Sequence, residues 1–159
     1  MTPTYYLRQA LTLNATATMY DAVAAPVDAA DIKRHSAQFD FDFVRLAKTN
    51  TVYKLHLPDQ PDIIQALVAL RPDAGFMECA NMETAAFNKS GRPLYSGAGR
   101  AIVALCCKIS FEEGFDGYIR FEAKSRLFPY YERLGAKRIG GLLMIMDEAA
   151  ALKLTARYF

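Results

Sequence analysis

A loop and a handful of side chains in this 159-residue chain have types and spacings that suit chemistry. In LYSGAGRA, residues 94–101, Gly97 and Gly99 stand where a loop runs into an apolar helical pattern. Several backbone N–H groups then face outward beside the positive end of a helix dipole, which suits a phosphate, and the same glycines equally suit a tight structural turn. The loop is not GxxxxGKS/T, since no Lys-Ser or Lys-Thr follows, and not GxGxxG, since residue 102 is Ile. Tyr130 and Tyr131, in YYERLG, carry phenols that are protonated at neutral pH and donate at short range, although their helical spacing also suits packing. Glu78 and Glu83 supply carboxylates in GFMECANMET, where strand alternation puts Glu78, Ala80 and Met82 on one face and Cys79, Asn81 and Glu83 on the other. His35 and His56 lack Cys, Asp or Glu partners at ligand spacing, so no metal is expected. Cys106-Cys107 sits inside the helical pattern and reads as packing.

The elements that must position these groups are clearest in the second half. AIVALCCKISFEEG is a long helix whose polar positions Arg100, Lys108 and Glu112 fall at multiples of four, a narrow exposed face, with Gly114 to end it. YIRFEA is a strand that directs Ile119, Phe121 and Ala123 one way. SRLFPYYERL is a second helix with Ser125 as a candidate cap, Pro129 in its first turn and Gly135 to end it. AKRIGGLLMIM is a last strand, and DEAAALKLTARYF a terminal helix capped by Asp147. Upstream, FVRLAKT, TVYKLHL, DIIQALVALRP and AGFMECANMET read as an antiparallel meander turning at RPDAG. The segment TYYLRQALTL fits a strand or a short helix, and residues 14–37 suggest two short helices interrupted by Pro26, with Asp28 or Asp31 as a cap. The expected class is α/β (α+β by some schemes), a single domain over 1–159 with a central mixed, largely antiparallel sheet flanked by helices.

Composition bounds the function. A formal charge of +2 with no basic block argues against nucleic acid and membrane surfaces as general partners. The longest apolar runs fall far short of the roughly 20 residues that span a bilayer. Three cysteines with an adjacent pair make a poor disulfide framework, which points to a reducing, cytoplasmic setting.

The stretch from Leu94 to Ile139, with its Gly-x-Gly loop, long helix, short strand and second helix ending in YYERLGA, resembles the acetyl-coenzyme A binding core of the GCN5-related N-acetyltransferase (GNAT) superfamily. The resemblance implies that acetyl-coenzyme A, as cosubstrate, lies across an opening between the strand ending near Thr84 and the strand YIRFEA. It implies that Ser96, Gly97, Ala98, Gly99, Arg100 and Ala101 receive the pyrophosphate, that Tyr130 packs near the cofactor, and that Tyr131 protonates the departing thiolate. The family usually has Gln or Arg three residues before the first glycine; here that position is Leu94, leaving Arg92 or Lys89 to compensate. Transfer to a primary amine of a small molecule or a protein needs that amine to lose a proton, for which Glu83, ahead of Glu78, is the candidate acting through water. Two rival readings stand beside this one: a coenzyme A-binding regulatory domain without efficient chemistry, and a homodimeric scaffold formed through LLMIM or the terminal helix.

Overall fold

The computed structural model describes residues 3–89 and 91–159. Period-two burial begins at the N-terminus: β1 (Tyr5–Leu13) and β2 (Thr18–Pro26) form an antiparallel hairpin, where the alanines of residues 14–26 had suggested a helix. Leu7, Leu11, Ala22 and Ala24 are all fully buried at even spacings, and that burial outweighs the helix preference of alanine. The second expected helix forms as α1 (Ala29–Arg34), with the Asp28 carboxylate accepting from the Asp31 amide at 2.9 Å. FVRLAKT is a helix, α2 (Phe43–Leu46), and not a strand: Asp42 caps it by accepting from the Arg45 amide at 3.0 Å, and one residue, Phe43, is buried.

The meander follows as read, in β3 (Thr51–His56), β4 (Ala66–Pro72) and β5 (Met77–Thr84). Next come the short β6 (Tyr95–Ser96), the long α3 (Ala98–Glu112), β7 (Ile119–Glu122) and α4 (Phe128–Arg133). Ser125 caps nothing; it opens a single 3-10 turn ahead of α4, and Pro129 lies in the first turn of α4, where its missing N–H costs no bond. AKRIGGLLMIM divides at Gly140–Gly141 into a hairpin of β8 (Lys137–Gly140) and β9 (Leu143–Met146). The terminal α5 (Glu148–Tyr158) is capped by Asp147, which accepts from the Ala150 amide at 3.0 Å.

All the strands join one sheet in the order β6-β1-β2-β3-β4-β5-β7-β9-β8, antiparallel except where β7 runs parallel to β5. β9 is therefore an interior strand with β7 and β8 on its two edges, so strand addition through LLMIM is blocked. The main core lies between one sheet face and α3 with α5, and includes Leu7, Leu55, Val68, Leu105 and Phe121. A smaller core, with Val52, Leu67 and Ala69, is covered by Ile32 and Phe43 of α1 and α2 on the opposite face. As the polar spacing predicts, α3 buries most of its surface: Cys106 and Cys107 are completely covered, and Glu112 is exposed.

Candidate functional site

One extra residue in β5 decides what faces what. Asn81 lies opposite Ala69 and Cys79 opposite Leu70, so Ala80 is unmatched and forms a bulge. Because directly opposed residues share a face, Met77, Cys79 and Met82 all point to the α3 side, with Leu70 and Val68. Glu78, Asn81 and Glu83 point to the α1–α2 side, Glu83 opposite Leu67. The plain alternation expected from the sequence is thus broken at Ala80, which joins Glu78 to Glu83 on one face.

The same place is where the sheet parts. β7 pairs with β5 only through Met77–Cys79 opposite Ile119–Phe121. Beyond Cys79, residues Ala80–Thr84 have β4 on one edge and no strand on the other among the described residues. Their backbone groups on that edge are left for a ligand or water. This is the opening expected between the strand ending near Thr84 and YIRFEA.

The glycine loop opens α3, the helix that packs against β5 on the Cys79 face. Gly97 is the cap of α3 at φ +100, and a Cβ on it would stand 2.7 Å from the Ala10 carbonyl oxygen, so the fold itself requires glycine there. Gly99 is different: a Cβ would meet the Tyr130 hydroxyl at an ordinary 3.5 Å, so packing alone does not demand glycine. No side chain caps α3, and the amides of Ala98 and Gly99 have no partner among the described residues. Those orphan donors stand at the start of a 15-residue helix, where the positive end of its dipole lies. The set of free donors is narrower than expected. The Ala101 amide is spent on the Gly97 carbonyl at 3.1 Å, and the Ser96 hydroxyl donates to Asn14 at 3.0 Å. The Arg100 Nε donates to the Tyr158 hydroxyl at 2.8 Å, tying the loop to α5.

α4 brings the two tyrosines to the same place. Tyr130 sets its hydroxyl over Gly99, while the Tyr131 ring lies 5.1 Å from Tyr130 and 4.9 Å from Phe121, the last β7 residue paired with β5. Burial pushes the Tyr131 phenol up to about 12, with smaller contributions from Tyr130, Cys106 and Cys79. Burial also raises Tyr130, against the pull of the Arg100 charge. Both phenols therefore keep their protons through neutral pH. Gly135 closes α4 at φ +105, where a Cβ would stand 2.7 Å from the Ala150 Cβ, so α5 seats directly on this turn.

Glu83 occupies the other face. Its side chain is 5% exposed; its carboxylate accepts from the Asp40 amide at 2.7 Å and the Phe41 amide at 3.0 Å, and it forms an ion pair with Lys89. Lys89 also reaches Asp40 at 3.0 Å. Burial alone would lower Lys89, but its bonds to Glu83 and Asp40 outweigh burial and raise it. Lys89 is thus committed away from the glycine loop and does not replace the missing Gln or Arg; Leu94 stands exposed at that position. The meeting of Asp40, Phe41 and Lys89 at Glu83 carried no signal in the sequence, because it depends on the bulge. Asp40 to Val44, with Ile32, Ser36 and Phe39, line a cavity of about 240 Å³ on this face. Glu78 is held separately by Arg120, whose Nε donates at 2.7 Å.

The remaining candidates are internally satisfied. A ring nitrogen of His56 bonds the Leu57 carbonyl at 2.7 Å, and the two of His35 meet the carbonyls of Asp31 and Asp62, each at 2.8 Å. Among the described residues no group of His, Cys, Asp and Glu is arranged to hold a metal, and no helix is long and apolar enough to cross a membrane. All three cysteines are free and buried.

No protein-family model matches the chain, and no curated protein matches it. Solved structures do. AtaTR bound with acetyl-coenzyme A superposes with a TM-score of 0.62 at 12% identity, covering 84% of this chain and 97% of that one. A ribosomal-protein alanine N-acetyltransferase from Escherichia coli gives 0.60 at 11% identity, over 79% and 92%. An aminoglycoside acetyltransferase in complex with coenzyme A and kanamycin gives 0.57 at 12% identity, over 83% and 98%. At these identities the likeness speaks for architecture: the chain has the GNAT fold, a mixed, mostly antiparallel sheet flanked by helices.

Proposed function

We propose that this protein transfers an acetyl group from acetyl-coenzyme A to a primary amine by direct attack. The observation that carries the reading is the meeting of three features at one place: the unpaired edge of β5, the uncapped start of α3, and the Tyr130–Tyr131 pair between them. The pyrophosphate fits the amides of Ala98 and Gly99, with Arg100 adding positive charge beside them. The acyl arm fits the open edge of β5, whose amides supply hydrogen bonds to a strand-like ligand and to the oxyanion.

In the chemical step the amine nitrogen attacks the thioester carbon, the C–N bond forms, and the C–S bond breaks as the intermediate collapses. Tyr131 donates its proton to the departing sulfur and regains one, through water, from the nitrogen that has become acidic on bonding to carbon. A phenol held near 12 is suited to this cycle, since it begins protonated and its phenolate recaptures a proton strongly. The acceptor is a small-molecule or protein amine entering from the α1–α2 face; the fold neighbours that carry a ribosomal-protein or an aminoglycoside activity span both classes. Free buried thiols fit a cytoplasmic setting.

Calorimetry with acetyl-coenzyme A, followed by thiol release with spermidine, tyramine and a peptide with a free N-terminus, tests this reading. Binding and release with at least one amine are expected, and Tyr131→Phe is expected to keep the binding while lowering chemistry-limited turnover by about 10- to 100-fold. Absence of acetyl-coenzyme A binding overturns the proposal, and unchanged turnover in Tyr131→Phe removes the donor role. A second reading, a coenzyme A-binding regulatory domain, draws on Leu94 and on the diversion of Lys89 to Glu83; it predicts binding without thiol release.

A further inference from the structure

The residue that the sequence offers as a general base is built as something else. Glu83 is almost wholly buried, and three donors converge on its carboxylate: the amides of Asp40 and Phe41 and the ammonium of Lys89. The two amides come from irregular chain between the 3-10 turn at Ser36–Gln38 and α2, with no sheet or helix ladder of its own to hold Asp40 and Phe41, and Lys89 comes from the chain that follows β5. Asp40, Phe41 and Asp42 are also wall residues of the cavity on the α1–α2 face, and Phe41 packs edge-on against Phe43, 6.4 Å between centroids. Glu83 itself belongs to the half of β5 whose free edge faces the opening. One residue therefore offers its backbone to the cofactor side and fixes, by its side chain, the wall on the other side.

We propose that Glu83 is a positioning residue for the acceptor, stapling the Asp40–Phe41 wall to the sheet with Lys89 as its counter-ion, and is not the proton acceptor. A carboxylate whose oxygens are already taken by two amides and a lysine has no lone pair aimed at the opening, which sharpens a staple and blunts a base. The amine then loses its proton to water. The Lys89–Asp40 bond closes the staple from outside, where the Asp40 carboxylate is 88% exposed, so the wall depends on the buried half of the network. The kinetic half of this inference rests on the transfer reading; the structural half does not.

Glu83→Gln tests it, because the amide oxygen keeps one acceptor for the wall while the charge is lost. With whichever of spermidine, tyramine or the free N-terminal peptide turns over in the wild type, the acceptor KM is expected to rise about tenfold. The KM for acetyl-coenzyme A and the position of the acid limb of the kcat/KM profile should be unchanged, and kcat should stay within about threefold. Lys89→Met added to Glu83→Gln is expected to recover at least part of the acceptor KM, since the unpaired cation is removed with the anion. A base would give the opposite pattern: kcat down 100-fold or more at unchanged acceptor KM, the acid limb lost, and no recovery in the double variant. Any of these overturns the proposal. If the wild type transfers no acetyl group, amide hydrogen exchange at Asp40 and Phe41 reads the staple alone. Exchange should be protected in the wild type and at least about tenfold faster in Glu83→Gln; equal rates overturn the staple, whatever the activity.

Discussion

The two halves of β5 solve different problems with the same strand. From Met77 to Cys79 it is paired on both edges, to β4 and β7, and its carboxylate, Glu78, is held by a single side chain, Arg120, reaching across from the neighbouring strand. From Ala80 to Thr84 one edge carries no strand among the described residues, and its carboxylate, Glu83, is held by backbone amides of a distant loop and by Lys89. A strand closed on both edges is stabilised by its ladder and needs little from its side chains. A strand with an open edge has given up part of that ladder, and here its side chain takes on a structural duty while the backbone is freed. The bulge at Ala80 is what allows the change, because it turns Met82 back to the apolar α3 face and Glu83 away from it.

Giving that residue a partner should have the largest effect. An alanine inserted in β4 between Ala69 and Leu70 stands opposite Ala80 and flattens the bulge, which restores simple alternation and carries Glu83 towards the apolar α3 face and Met82 away from it. Burying a carboxylate without its partners costs about 3–5 kcal/mol, a large share of the roughly 5–15 kcal/mol that stabilises a domain. At about 2–4 °C per kcal/mol for a chain of this size, the melting temperature is expected to fall by about 10 °C or more, or the cooperative transition to vanish. A fall of less than about 4 °C would show that the bulge is not what separates the two halves.

The two carboxylates give the next contrast. Glu83→Ala leaves two amides and a partly covered lysine without their acceptor, a loss of about 2–4 kcal/mol in thermal or denaturant unfolding. Glu78→Ala removes one bond to Arg120, which stays in contact with the Phe76 ring, 4.8 Å away, and should cost less than half as much. Equal losses would erase the distinction between a side-chain pair on a closed ladder and a staple on an open one.

What was legible in the sequence follows the same division. Gly97, Tyr131, the long α3, Ile119–Phe121 and the Asp147 cap could be read because each is set by local rules: a turn, a cap, a helical or strand period. Residues 14–26 could not, since alanine and threonine there favour no single element and the hairpin is fixed by burial of Ala22 and Ala24 beneath a helix nearly eighty residues away. The face of Glu83 could not be read either. A bulge leaves no composition signal, and one inserted residue reverses every assignment that follows it. The meeting of Lys89, Asp40 and Phe41 at Glu83 remained silent for that reason, just as Tyr130 and Gly99 were legible as separate motifs and only their contact was new.

A smaller effect is expected at the point where the closed half ends, from alkaline titration. The Tyr131 phenol, against Phe121, is raised from 10.0 to about 12, chiefly by burial. A raised value means that the folded state favours the protonated form, so the associated stability is intact below pH 10 and is lost as pH climbs from 10 towards 12. Two units correspond to at most about 2.7 kcal/mol, and about 2 is a fair expectation for a ring that is not wholly covered. Tyr5 and Tyr53, raised by burial and by Glu112 at the far end of α3, add to the same alkaline loss. Urea unfolding at pH 9 and pH 11.5 should therefore show wild type losing more stability than Tyr131→Phe, and identical losses would place Tyr131 in a solvent-like setting.

Glu78→Gln sharpens the comparison from its quiet side. The carboxamide can still accept from Arg120, the ladder on both edges is untouched, and Arg120 keeps its stacking on Phe76. A partly covered pair held by one hydrogen bond loses little when a neutral acceptor keeps that bond, so a shift in melting temperature of less than about 2 °C is expected. Turnover and its pH dependence should be those of the wild type, because Glu78 lies before the parting of β5 and β7 and its oxygen is already bonded. If instead Glu78→Gln removes the acid limb of the kcat/KM profile, the proton path runs through the closed half of β5, and the division of labour between the two carboxylates is the reverse of the one their hydrogen bonds describe.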